Sequence, residues 1–103
     1  MTIAALKDGS VEAADIFTTD SSIAADHFVV LADPKNNFAA QNVVPLINAG
    51  KVTPTIRDTL NAISAKLDTA TLAQLDATAA GPSKPDLSTV ATNWLKQVGL
   101  ISG

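Results

Sequence analysis

The pattern of apolar and polar positions changes along the chain near residue 52. Before that point, β-branched and apolar clusters alternate with turn formers. Ala14–Thr19 (ADIFTT), His27–Leu31 (HFVVL) and Gln41–Ile47 (QNVVPLI) each predict a strand, because β-branched and aromatic side chains suit a pleated surface. The unbroken run Phe28-Val29-Val30-Leu31 fits a strand covered on both faces. Pro45 has no N–H to give a ladder, so the third strand is expected at an edge or with a bend. Thr19-Asp20-Ser21-Ser22 predicts a turn, or the cap of a short helix carrying Ile23. Asp33-Pro34-Lys35-Asn36-Asn37 predicts a loop, since proline and asparagine favour turn conformations. Thr2–Asp8 reads as helix, with Gly9 as the residue just past its C-terminus.

Beyond residue 52 the apolar spacing becomes helical, and three helices are expected. Thr53 caps the first and Pro54 fits its opening turn. Ile56, Leu60, Ile63 and Leu67 then form one apolar stripe. Asp68 or Thr69 caps the second, which carries Leu72 and Leu75 and stops near Gly81-Pro82. Ser83-Lys84-Pro85 is a linker. Asp86 caps the third helix, whose inward face holds Leu87, Val90, Ala91, Trp94, Leu95 and Val98. Gly99 ends it, and Leu100 can fold back in a Schellman arrangement. The fold expected from the pattern is α/β: a few strands followed by three C-terminal helices.

At 103 residues the chain is one small domain or a piece of a larger one. Apolar residues make up 47%, but many are alanine, which buries little area, so a thin stability margin is expected. The net charge of -3, with no basic run, argues against nucleic acid, which needs clustered cations. The same lack argues against a polybasic attachment to anionic lipid. No stretch approaches the roughly 18 apolar residues of a membrane span. The first residues lack the features of a signal peptide, so either the protein is cytosolic or an export signal lies elsewhere. Without cysteine there are no disulfides, thiolate chemistry or Cys metal sites.

Catalytic inventory is poor. His27 is the single histidine, beside Asp26 and a predicted strand, and no nucleophile motif accompanies it. A strand-edge imidazole with a structural hydrogen bond accounts for it better than a general base does. The carboxylates are dispersed, and no glycine-rich phosphate loop occurs. Asp20 with Asp26, or Asp33 with Asn36 and Asn37, could offer oxygens to a hard cation. The second set lacks the glycine and closing glutamate of an EF-hand, and turn chemistry explains it better. No enzyme activity, cofactor or metal is expected. Trp94 reads either as core or as a partner-binding stripe.

Several stretches, in order, resemble solute-binding proteins of osmoprotectant (glycine betaine and choline type) ABC importers. Ala4–Asp20 (ALKDG followed by ADIFTTD) resembles a helix ending in "ALKDG" that leads to "DAYTTD". Val30–Phe38 is similar to "L-D-D-x-x-x-F-P-P-Y", and Val43–Ile47 to the "APL(V/I)" after it. Leu60–Leu67 is similar to "LN-x-L-S-G-K-L", and Val90–Ile101 to "VAKDFLKENGLI". The resemblance covers nearly the whole chain.

This resemblance implies part of a two-lobed clamshell of the type II periplasmic-binding kind. Residues 1–50 would be a strand-rich segment from the second lobe and hinge return, and residues 51–103 the C-terminal helical segment of the first lobe. It further implies an extracytoplasmic location, as a periplasmic protein or cell-surface lipoprotein, with an ABC permease as partner. The family holds a quaternary ammonium group in a box of aromatic rings by cation–π attraction. The two tyrosines this region contributes correspond here to Phe17, which keeps a ring, and Gln41, which does not; Ala39 and Ala40 replace the prolines before it. Gln41 and Asn42 instead offer amide groups suited to a polar or hydroxylated solute, or are surface residues of a strand edge. Thr18, Thr19 and Asp20 line the cleft or the hinge, cap the next helix, or both. The expected ligand-binding residues are therefore Phe17, Thr18, Thr19, Asp20, Gln41 and Asn42, all by resemblance. The competing expectation is a structural chain whose exposed apolar faces self-associate or swap between copies.

Overall fold

The structure, a computed structural model, describes residues 2–39 and 41–102. Five α-helices follow one another: α1 (Thr2–Lys7), α2 (Ser22–Ala25), α3 (Pro54–Ser64), α4 (Thr69–Ala80) and α5 (Leu87–Gln97). A single 3-10 turn, Ala49–Lys51, precedes α3, and Asn48 caps it by accepting the Gly50 N–H at 2.9 Å. The sequence pattern carried no expectation of this turn.

Local chemistry explains the helix limits. Thr53 accepts the Ile56 N–H at 3.2 Å, and Pro54 opens α3 where no N–H is required. Asp68, rather than Thr69, caps α4 by accepting the Thr71 N–H at 2.7 Å. α4 stops at Ala80, with Gly81 as its C-cap. Asp86 stands at the N-cap of α5, but its carboxylate is taken by the Ser88 hydroxyl and not by a backbone N–H. At the other end of α5, Gly99 adopts φ +73°, so the Gly99 N–H reaches Lys96 O at 3.1 Å and the Leu100 N–H reaches Leu95 O at 2.9 Å. That pair of bonds is the Schellman arrangement expected from Gly99-Leu100.

The expected α/β architecture is not what the structure contains. Among the described residues there is no strand and no sheet, and the regular structure is helical. Ala14–Thr19 is irregular up to a turn at Thr18-Thr19. Val29–Ala32 and Gln41–Ile47 carry no helix, turn or bend, and no backbone hydrogen bond joins them to another described residue. A strand exists only when a neighbour accepts its ladder bonds, and these runs have none. The clamshell implied by the resemblance, which needs a central sheet, is corrected for the same reason.

His27 departs from expectation in a specific way. It does not begin a strand but ends α2 in the left-handed region, at φ 57°. The His27 N–H reaches Ala24 O at 3.4 Å and the Phe28 N–H reaches Ile23 O at 2.9 Å, which repeats the cap seen at the end of α5.

No hydrophobic side chain among the described residues is fully buried. α4 packs on α5, the one helix pair in substantial contact among these elements. Leu72, Leu75, Val90, Trp94, Leu95 and Val98 are half-buried there. The accessible surface is 8354 Å² for a mass of 10.6 kDa, where a compact monomer of that mass exposes about 5500 Å². The radius of gyration is 17.1 Å, against about 13 Å for a compact chain of this length. The apolar residues are present, but they are spread over surfaces that do not meet.

Candidate functional site

The Phe17–Asp20 stretch is shaped by its own backbone and by Asp20. The Asp20 N–H bonds to Phe17 O at 2.9 Å, closing a turn over Thr18 and Thr19. Asp20 then accepts the Ser22 N–H on its carboxylate at 2.9 Å and the Ile23 N–H on its carbonyl at 3.2 Å. The Ser22 hydroxyl beside it, and then the Ser22 N–H, hold the Asp20 carboxyl below its ordinary pKa. Asp20 therefore holds the Ser22 N–H from one residue before the N-cap of α2, which is Ser21 and makes no side-chain cap bond. Fixing Asp20 also fixes the turn before it, which leaves Phe17 with 75% of its surface in water. Thr18 is exposed and Thr19 half-buried. The Lys7 ammonium, 2.6 Å from the Asp26 carboxylate, ties α1 to the end of α2 on the far side of the turn.

A second ring is presented by a loop built in a similar way. Asp33 accepts the Phe38 N–H at 2.9 Å and the Asn37 side-chain amide at 3.1 Å, while its carbonyl accepts the Asn36 N–H at 3.1 Å. Asn36 takes the left-handed conformation at φ 51°, which asparagine tolerates better than most residues. The backbone N–H groups of Phe38 and then Asn37 hold the Asp33 carboxyl below its ordinary pKa. Phe38 stands exposed at the end of this loop. Expected to be turn chemistry, Asp33 has that role, but the ring it positions was not among the residues singled out. The signal was available: an Asp four and five residues before an Asn and an aromatic can close a loop with its carboxylate.

Gln41 and Asn42 are exposed, and their side chains form no hydrogen bond with another described residue. Their amide groups can therefore serve a ligand. Ala40 lies outside the described residues. No hydrogen bond among the described residues joins Phe17–Asp20 to Gln41–Asn42.

Concave surface lies elsewhere. A groove of ≈ 330 Å³ runs between α4 and α5, with Leu75, Val90 and the Trp94 ring as its apolar part and Gln74, Asn93 and Gln97 as its amides. Trp94 is half-buried in it. None of the six expected residues lines this groove. Among the described residues no group of three or more His, Asp or Glu is placed to hold a metal ion. His27, exposed at the end of α2, has no hydrogen-bonded side-chain partner there. Among the described residues no helix is long and apolar enough to cross a membrane.

The ordered motifs of the sequence agree with the comparison to known families. Residues 1–97 match the family described as the substrate binding domain of ABC-type glycine betaine transport systems, OpuAC. Proteins of this family are extracytoplasmic, bind small solutes such as glycine betaine and work with an ABC permease. No curated protein and no solved structure matches the chain. With 97 of its 103 positions inside that match, this chain belongs to the glycine betaine ABC-transporter substrate-binding domain family.

Proposed function

We propose that this chain is a solute-binding component of an ABC importer for osmoprotectants or related small polar solutes, acting by reversible capture with no bond chemistry. The observation that carries this reading is the family match over residues 1–97. The first fifty residues supply the solute contacts. Phe17, fixed by the Asp20 turn, offers a ring face whose π-system attracts a cation without needing N–H donors. Thr18, Thr19 and Asp20 border it. Phe38, fixed by Asp33, offers a second ring. Gln41 and Asn42 provide amides for a carboxylate or hydroxyl of the solute. Residues 51–103 form a separate helical segment that supports this one. The partners are the solute, of quaternary ammonium or hydroxylated type, and a permease. The location is periplasmic or on the cell surface as a lipoprotein.

Calorimetric titration of the chain with glycine betaine, choline and a polyol tests the reading. Saturable heat with a quaternary ammonium compound, lost in Phe17→Ala and kept in Phe17→Tyr, is the expected result. Binding of the polyol alone moves the assignment to hydroxylated solutes and makes Gln41→Ala the sensitive variant. Absence of saturable heat with all three overturns the proposal.

A further inference from the structure

The groove between α4 and α5 is built from adjacent rows of unlike residues. On α5, Val90, Trp94 and Val98 recur every four positions, and with Leu75 of α4 they make a half-buried apolar floor. One position before each stands an exposed polar residue, Thr89, Asn93 and Gln97, which together form one wall. Thr71, Gln74 and Thr78 of α4 form the facing wall. The space between them, ≈ 330 Å³, is at the lower end of the range of about 300–1,000 Å³ that small-molecule sites occupy.

Two properties of the walls narrow what could occupy it. First, neither wall carries a charge. A solvated helix face is ordinarily charged, yet Asp76 of α4 and Lys96 of α5 lie outside the groove, and Lys66, just past α3, is the one charged residue among the described residues that line it. Second, the hydrogen-bonding groups are unspent. The side-chain amides of Gln74, Asn93 and Gln97 and the Trp94 indole N–H have no hydrogen-bond partner among the described residues. Each amide offers two N–H donors and an acceptor oxygen. The Thr78 hydroxyl donates to Gln74 O at 2.8 Å and can still accept.

We infer that this groove binds a neutral saccharide, with one C–H face of the sugar ring on the Trp94 indole and its hydroxyls on the amides of Gln74, Asn93 and Gln97. A sugar ring has an apolar face and a rim of groups that both donate and accept, which is the division of this groove into an apolar floor and amide walls. A neutral ligand also gives up far less hydration on entry than an ion does. A cation would meet the Lys66 ammonium with no carboxylate in the lining to offset it. The groove thus differs in place and in ligand class from Phe17–Asp20 and Gln41–Asn42, none of which lines it, so failure of either assignment leaves the other standing.

Trp94 is the single tryptophan and the chain has no tyrosine, so its emission reports on this groove alone. Titration with glucose and with maltose, and with glycine betaine alongside, tests the inference. The expected result is a saturable change in emission with a sugar and none with glycine betaine over the same concentrations. Asn93→Ala and Gln97→Ala each replace an exposed helical side chain by the best helix former, so the helical circular dichroism stays and sugar binding weakens about two- to tenfold. Thr92→Ala, on α5 but outside the groove, binds sugar as the unaltered chain does. No saturable change with either sugar overturns the inference. So do a response to glycine betaine as strong as that to sugar, and full sugar affinity in both amide variants.

Discussion

Substituting His27 separates two structures that predict opposite signs. In the structure described here His27 sits at φ 57° as the residue that ends α2. An L-residue in the left-handed region costs about 1–2 kcal/mol relative to glycine. Glycine returns about 0.4–1 kcal/mol of this through the larger freedom of its unfolded chain. His27→Gly therefore stabilises the cap by about 0.5–1 kcal/mol, roughly two- to fivefold in the local opening equilibrium at 1.36 kcal/mol per tenfold. His27→Val places a β-branched residue where φ is positive, a true outlier, and loosens the cap by on the order of tenfold. Had His27 begun a strand, glycine would instead weaken it by roughly 0.5–1 kcal/mol and valine would favour it. Native-state amide exchange at Phe28 reads the difference directly, because its N–H is bonded to Ile23 O at 2.9 Å and reports local opening without requiring cooperative unfolding of the chain. Slower exchange in the glycine variant and faster exchange in the valine variant are expected. The reverse order would refute the reading of this segment as a capped helix.

Three further outcomes follow from the same geometry. Thr53→Ala removes the side-chain acceptor for the Ile56 N–H and lowers the stability of α3 by about 1 kcal/mol, seen as faster amide exchange along its first turn. Gly99→Ala meets no neighbouring atom within 4 Å, so its cost of about 1 kcal/mol arises from φ +73° alone and is read at the Leu100 amide. Asp20, Asp33 and Asp68 have carboxyls held below their ordinary pKa in the fold, so each contributes stability that is complete above the unfolded value, about 3.9, and is lost as pH falls through the lower folded value. The Ser22, Phe38 and Thr71 amide shifts are accordingly expected to titrate with midpoints below that of an unstructured aspartate, and midpoints at or above it would contradict these hydrogen-bonding roles.

The C-terminal half was legible because its signals are local. Thr53-Pro54, Asp68 and Gly99-Leu100 each act on groups within five residues, so the same caps appear in the sequence and in the coordinates. Asp86 shows the limit of such reading: a serine two residues on competes for the carboxylate, and the backbone loses. The strands were misread for the opposite reason. Val29-Val30-Leu31 and Val43-Val44 have the composition of strands, but pairing depends on a distant partner, and no residue inside the run reports whether one is present. His27 was misread because a left-handed residue before an apolar run is indistinguishable from the first residue of that run. At the candidate site, a turn was expected at Thr19–Ser22, and the structure closes one a residue earlier, over Thr18 and Thr19, where a strand end was expected. The loop that positions Phe38 was read only as a loop, because the reach of the Asp33 carboxylate to an N–H five residues away depends on the left-handed bend at Asn36.

An amide NMR titration with glycine betaine tests whether a solute is held by Phe17–Asp20 and Gln41–Asn42. Saturable shifts confined to those two stretches and to Phe38 are expected. No shift in either stretch at any concentration, or shifts confined to the groove around Trp94, would contradict this reading.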